Sequence, residues 1–232
     1  MNAVNFKSRF DLNNQIARDN RAKFTAAGVI AVNLVGPAGS GKTSLIESLL
    51  SRLSPIIRSA AIVAELAAER QVERIARRRC KAIPLVTDNL TAIHIRDAIA
   101  QLNFGELDLV LIESEGNAHS PVEFDLGQNF RASVFSVAGG DDKATENPFL
   151  VAGSDLVILN KIDLLPLVKF DLSVFMQDVT RIKPKVPIIQ TSVESAQGID
   201  RWVEWVESCL SSNLGARPLP RAPNPFIRIP NQ

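Results

Sequence analysis

Thiol and imidazole are scarce in this chain of 232 residues, which holds two cysteines and two histidines. Cys80 and Cys209 stand far apart with no CxxC partner, which argues against a disulfide framework or a thiolate cluster; both read as free thiols, buried or semi-buried, in a reducing compartment. No apolar run approaches the ~20 residues of a membrane span. The polar N-terminus lacks the apolar core and cleavage site of a signal peptide, so a cytoplasmic location with no membrane contact is expected. An excess of one charge is lacking too: 26 Lys and Arg oppose 25 Asp and Glu, and a net charge of +1 gives no grip on nucleic acid. No internal repeat is visible, and the balance of apolar and charged residues is that of an ordinary globular chain.

What is present begins with Gly36-Pro37-Ala38-Gly39-Ser40-Gly41-Lys42-Thr43, a full match to the phosphate-binding pattern G-x-x-x-x-G-K-[ST]. An apolar run, 29–35, precedes it. A helical pattern follows, with Leu45, Ile46, Leu49, Leu50 and Leu53 at helical spacing. The glycines let backbone N–H groups turn inward toward phosphate oxygens, and the helix that starts there adds its positive end. In that context Lys42 reaches the β- and γ-phosphates, Thr43 offers its hydroxyl to Mg²⁺, and Ser44 completes the candidate phosphate set.

The second signal is Asn160-Lys161-Ile162-Asp163, at the end of the apolar run 155–159. Guanine carries an N1–H and an exocyclic amine side by side. A fixed carboxylate at Asp163 can accept from both, while Asn160 can address the O6/N7 edge and adenine leaves the acid unpaired. Ser192 marks a further loop that can approach the base. In Leu109-Val110-Leu111-Ile112-Glu113-Ser114-Glu115-Gly116, a strand pattern runs into acids and a glycine. Glu113 there can bind Mg²⁺ through a water or orient the attacking water, and Gly116 can sense the γ-phosphate; Glu65, after the run 59–64, is a second Mg²⁺-side acid.

Strand-like runs at 29–35, 59–64, 82–86, 108–112, 131–138, 155–159 and 186–190 alternate with helical patterns at 42–53, 67–79, 90–102, 172–182 and 198–211. That alternation predicts an α/β fold with a mostly parallel sheet between helical layers, and ligands at the carboxyl ends of its strands. Residues 1–27 read as an N-terminal helical extension with Leu12, Ile16 and Phe24 on its inner side. Residues 28–212 read as the P-loop domain and 213–232, with five prolines, as an extended tail.

The runs "SPVEFDLG", "SVAGGDDKATENP" and "SDLVILNKIDLLP", together with "ARDNRAKFTAAGVIAVNLVGPAGSGKTSLIE" upstream, resemble in order the signature segments of the HypB family of hydrogenase nickel-incorporation GTPases. The resemblance covers roughly residues 8–210. It implies a three-layer P-loop NTPase of the nitrogenase-iron-protein-like (SIMIBI) class. Two subunits of such a protein close over GTP and Mg²⁺, and slow GTP hydrolysis is coupled to nickel delivery. The implied partners are a second copy, a hydrogenase precursor and a nickel-binding accessory protein. It also implies that Lys143, in the "GDDK" stretch, links GTP to the dimer, and that Glu113 and Glu65 are the Mg²⁺-side acids. Urease-accessory GTPases share this architecture, but "EFDLG" and "GDDK" fit the hydrogenase group better.

The likeness fails at the transition metal. Where the family carries a Cys-His pair and a later cysteine, this chain has Thr91, Ala92 and Ser120. Nickel and zinc favour thiolate and imidazole, for which a hydroxyl is a poor substitute. His94 and His119 lie within a few residues of the lost ligands, so two readings stand: a relocated Ni²⁺ or Zn²⁺ site, or surface histidines. Accordingly, a GTPase that assists nickel insertion stands beside a diverged switch for another enzyme without direct nickel binding. A third alternative is a nucleotide-dependent interaction protein with negligible hydrolysis.

Overall fold

The computed structural model describes residues 3–53, 55–64, 68–87, 89–116 and 124–213, in which strands and helices alternate along the chain. Helix α1 (Ala3–Ala26) leads into β1 (Ile30–Gly36) and α2 (Lys42–Arg52). Then come β2 (Ser59–Ala64), α3 (Ala68–Ala76), β3 (Lys81–Leu85), α4 (Ala92–Ile99), β4 (Leu109–Glu115) and β5 (Phe130–Ser136). Two short helices, α5 (Lys143–Glu146) and α6 (Pro148–Ala152), precede β6 (Leu156–Asn160), α7 (Leu172–Ile182), β7 (Ile188–Gln190) and α8 (Ile199–Asn213).

The seven strands form one sheet in the order β3-β2-β4-β1-β5-β6-β7, parallel at every pairing. Because all run the same way, Gly36, Glu115, Ser136, Asn160 and Gln190 end at one edge of the sheet, where the loops bearing the motifs meet.

Burial on both faces follows from the period-two alternation of strand side chains. Ile30, Val32 and Leu34 of β1 point to the layer of α2, α3 and α8, where they pack with Leu45, Ile46, Leu49, Ile75 and Trp202. Ala31 points the other way, into a cluster with Phe24 of α1 and Ile95 and Ile99 of α4. Beyond β5, a third cluster joins Phe135 and Leu159 to Phe175 and Val179 of α7. The three-layer α/β fold read from the sequence is the fold observed.

Three local differences have physical causes. Leu12 is 51% exposed, whereas Ile16 and Phe24 are buried as expected. The inner stripe of α1 runs through Asn13, Ile16, Ala17, Asn20 and Phe24, so polar residues occupy positions that hydrophobicity alone would assign elsewhere. The strand expected over 131–138 stops at Ser136, whose hydroxyl accepts from Ala138 N and starts a 3-10 turn, Val137–Gly139. Finally, α5 and α6 are too short to show a period in sequence, and Asn147-Pro148 separates them with proline at the first helical position.

Candidate functional site

Glycine is required at both ends of the loop joining β1 to α2. A Cβ at Gly36 would lie 2.1 Å from Val134 O on β5, and one at Gly41 would lie 2.3 Å from Asn160 Nδ2. Gly39 and Gly41 also hold φ values of 73° and 98°, which other residues rarely adopt. Lys42 opens α2, is only 3% exposed, and donates from Nζ to the carbonyls of Gly36 at 3.0 Å and Pro37 at 3.2 Å. Its ammonium therefore sits in the concavity of its own loop. Ser40 is buried within the same loop, and its Oγ has no hydrogen-bond partner among the described residues.

The next residue, Thr43, donates from Oγ1 to Glu113 Oε1 at 2.6 Å, and both side chains are buried. The pairing of Leu34 with Glu113 across β1 and β4 brings this acid level with the root of the loop. Just past the strand's end, and three residues beyond the acid, Gly116 N donates to Gly36 O at 3.2 Å. A hydroxyl, a carboxylate and an ammonium thus converge where β1 and β4 finish. Ser44, one residue on, accepts at Oγ from Arg74 of α3 at 3.1 Å.

On the far side of the loop, Asn160 ends β6 with its side chain 2% exposed. Its Nδ2 donates to Ser40 O at 3.0 Å, and its Oδ1 accepts from Thr191 Oγ1 at 3.0 Å. These two bonds tie the β6 and β7 loops to the loop 36–43 and use one of the two amide N–H donors of Asn160. Lys161 turns the chain with φ 62°, and Asp163 follows half-buried in the 3-10 turn Ile162–Leu167. Among the described residues nothing donates to the Asp163 carboxylate. Ser192 is fully buried and its Oγ accepts from Ser195 N at 3.1 Å, so it folds its own loop rather than facing outward.

Lys143 lies across the loop, lining a cavity of about 220 Å³ with Pro37, Ala38, Gly39, Ser40 and Ser136. The Glu146 carboxylate, one turn on, pairs with its ammonium, and that hydrogen bond raises the lysine's pKa.

A family model described as "CobW/HypB/UreG, nucleotide-binding domain" matches residues 30–190, a stretch that contains the loop 36–43, Glu113, Lys143, Asn160 and Asp163. The chain belongs to the CobW/HypB/UreG family. It is 35% identical over 204 residues to hydrogenase maturation factor HypB of Escherichia coli, covering 85% of this chain and 69% of that protein. It is likewise 35% identical over 214 residues to hydrogenase maturation factor HypB of Azotobacter vinelandii, covering 88% of this chain and 69% of that one. The crystal structure of hydrogenase maturation factor HypB from Archaeoglobus fulgidus matches with a TM-score of 0.80 at 32% identity, over 86% of this chain and 99% of that one. The domain is thus a P-loop nucleotide-binding domain of the HypB type.

This family member is poor in ligands for a soft metal. Among the described residues no three His, Cys, Asp or Glu side chains are grouped to hold an ion. Thr91, where the resemblance expects a cysteine, is the N-cap of α4, and Ala92 is fully buried. His94 serves that cap: its Nδ1 accepts from Thr91 N at 3.1 Å and lies 2.9 Å from Thr91 Oγ1. Half of the His94 ring is therefore engaged in ending a loop. Glu65, His119 and Ser120 lie outside the described residues. Cys80 and Cys209 are both buried, and burial pushes each thiol up to about 12, which keeps them protonated at neutral pH. Among the described residues no helix is long and apolar enough to cross a membrane.

Sequence reasoning missed four polar side chains that brace the site and the elements around it. Thr191 is fully buried and holds Asn160; its signal was a hydroxyl immediately after an apolar strand. Asn33, the one polar residue within the run 29–35, accepts from Ser114 Oγ at 2.8 Å and joins β1 to β4 one residue beyond Glu113. Asn13 and Asn20 of α1 grip both Ala92 and the segment after position 123: Asn13 accepts from Ala92 N and donates to Asp125 O, and Asn20 donates to Ala92 O and Leu126 O.

Proposed function

We propose that this chain is a GTP-hydrolysing maturation factor of the HypB type. In this reading GTP lies along the loop 36–43, and nucleotide-driven pairing of two copies is the switch. The observation that carries it is the 2.6 Å contact between Thr43 Oγ1 and Glu113 Oε1 beside the Lys42 ammonium. A threonine hydroxyl and a carboxylate are the hard oxygen donors that suit magnesium, which takes few protein ligands and keeps waters and phosphate oxygens. When bound, Mg²⁺ neutralises charge on the β- and γ-phosphates.

The protein's own groups do the remaining work. Phosphate oxygens replace the Gly36 and Pro37 carbonyls as acceptors for Lys42, while backbone N–H groups of 38–43 and the start of α2 surround the phosphates. Glu113, or a water it holds, orients the nucleophile in line with the leaving oxygen. Asp163 offers its carboxylate to the paired N–H donors of guanine, held in register by the Asn160 tie. Lys143, released from Glu146, reaches across the loop toward the nucleotide and the second copy. Single-turnover GTP hydrolysis and light scattering of the intact chain test this reading. Lys143→Ala should bind GTP but fail to dimerise with it; GTP-linked dimers in that variant contradict the assigned role.

A second reading, an assembly switch that does not hold nickel itself, is favoured by the engaged His94 and by the absence, among the described residues, of a three-ligand group. Equilibrium dialysis with Ni²⁺, with and without GTP, decides it. Binding tighter than about micromolar contradicts this second reading.

A further inference from the structure

Residues 68–81, which form α3 and the turn into β3, carry six cationic side chains against two acidic ones, in a chain whose net charge is only +1. Arg70, Arg77, Arg78 and Arg79 are exposed, with no ion pair or hydrogen bond from their guanidinium groups among the described residues. Five arginines elsewhere, Arg21, Arg52, Arg58, Arg96 and Arg181, each pair with an aspartate.

Arg79 supplies an independent observation. It follows the last turn of α3, where Arg78 N bonds Ile75 O and Arg79 N bonds Ala76 O, and it holds φ 58°. That left-handed position at a helix end is one glycine fills without strain. A long charged side chain there works against the fold's own preference, and strained residues of this kind gather where a side chain serves function. The face is also held firmly. Arg74, on the same helix, bonds Ser44 Oγ at 3.1 Å and pairs with Glu47, fixing α3 against the first turns of α2.

We infer that the arginine face of α3 and its following turn docks an acidic segment of a partner protein. Planar guanidinium forks match carboxylates in two-point contacts, and arginine is enriched at protein interfaces. Strand addition at the outer edge of β3 is opposed by Lys81 and by Pro84, which has no N–H to offer, so the contact is made by side chains. Nucleic acid is the poorer fit. Residues 68–87 contain no aromatic side chain for base stacking, and a nine-residue helix spans only about 14 Å of a phosphate backbone.

The test uses the intact chain and fluorescence anisotropy with a short fluorescein-labelled Asp/Glu peptide, run beside an oligothymidine of equal formal charge. Arg77→Ala with Arg78→Ala should weaken the peptide roughly tenfold or more, with GTP affinity unchanged. Arg79→Gly should weaken it too, yet raise Tm by about 2 °C, because glycine relieves the left-handed turn. Unchanged peptide affinity in these variants overturns the inference, and so does oligothymidine binding as tight as the peptide's.

Discussion

Asn160 Nδ2 stands 3.0 Å from the carbonyl oxygen of Ser40, so the strand end that precedes Asp163 is bonded directly to the loop 36–43. Thr191 completes the tie from the other side. The loop 36–43 and the ends of β6 and β7 are therefore joined by hydrogen bonds, and damage at either end should be felt at both. Gly41→Ala drives a methyl to 2.3 Å from Asn160 Nδ2 and breaks the tie. Losing a buried hydrogen bond costs about 1–3 kcal/mol. GTP affinity, followed by fluorescence of a labelled nucleotide, should fall roughly 10- to 100-fold in this variant and in Asn160→Ala.

The contact of Thr43 with Glu113 leads to a different signature. Glu113→Gln keeps the shape but removes the charge, and Thr43→Ala removes the hydroxyl. Each should slow single-turnover hydrolysis by about 10²-fold or more, as loss of a preorganised electrostatic group does. Nucleotide binding measured in EDTA should change little, since the loop's backbone donors remain. Equal losses with and without Mg²⁺ would place the two residues in general folding rather than in magnesium chemistry.

Asn20 carries a prediction about stability. Its amide is fully buried and donates to both Ala92 O and Leu126 O, joining α1 to α4 and to the segment leading into β5. Asn20→Ala strands two buried carbonyls and should lower unfolding stability by about 2–4 kcal/mol. Urea denaturation should show the midpoint falling with the slope unchanged.

The thiols give a pH dependence whose sign is fixed by burial. Cys80 and Cys209 titrate near 9.0 when exposed and at about 12 in the folded chain. The folded state thus keeps protons that the unfolded state loses. Their stabilising contribution is complete below pH 9 and declines as pH rises from 9 toward 12, by up to about 1.4 kcal/mol per pH unit for each thiol. Replacing both by Ala or Ser should flatten that alkaline limb of the stability curve. At pH 8 neither thiol should react with a disulfide reagent until the protein is unfolded.

Much of the fold was legible because strand and helix periods alternate cleanly from residue 29 onward, and the Gly-rich loop and Asn160–Asp163 announce their own strand ends. What escaped the sequence was polar and non-local. The stripe of α1 was shifted toward Leu12 because hydrophobicity gives no credit to Asn13 and Asn20, whose partners lie more than 70 residues away. The partners that Asn160 finds inside the protein, Ser40 and Thr191, are likewise brought beside it only by the parallel sheet. The cap that His94 makes on Thr91 escaped as well, since an (i, i+3) contact depends on where a helix starts.

The central claim, a guanine-specific nucleotide switch built on Lys42 and Asp163, is tested most directly by titrating the intact chain with GTP and with ATP in Mg²⁺. Affinity for GTP should exceed that for ATP by at least about 100-fold, because adenine leaves the Asp163 carboxylate unpaired, and Lys42→Ala should abolish binding of both. Equal affinity for the two nucleotides, or GTP binding that survives Lys42→Ala, would contradict the account.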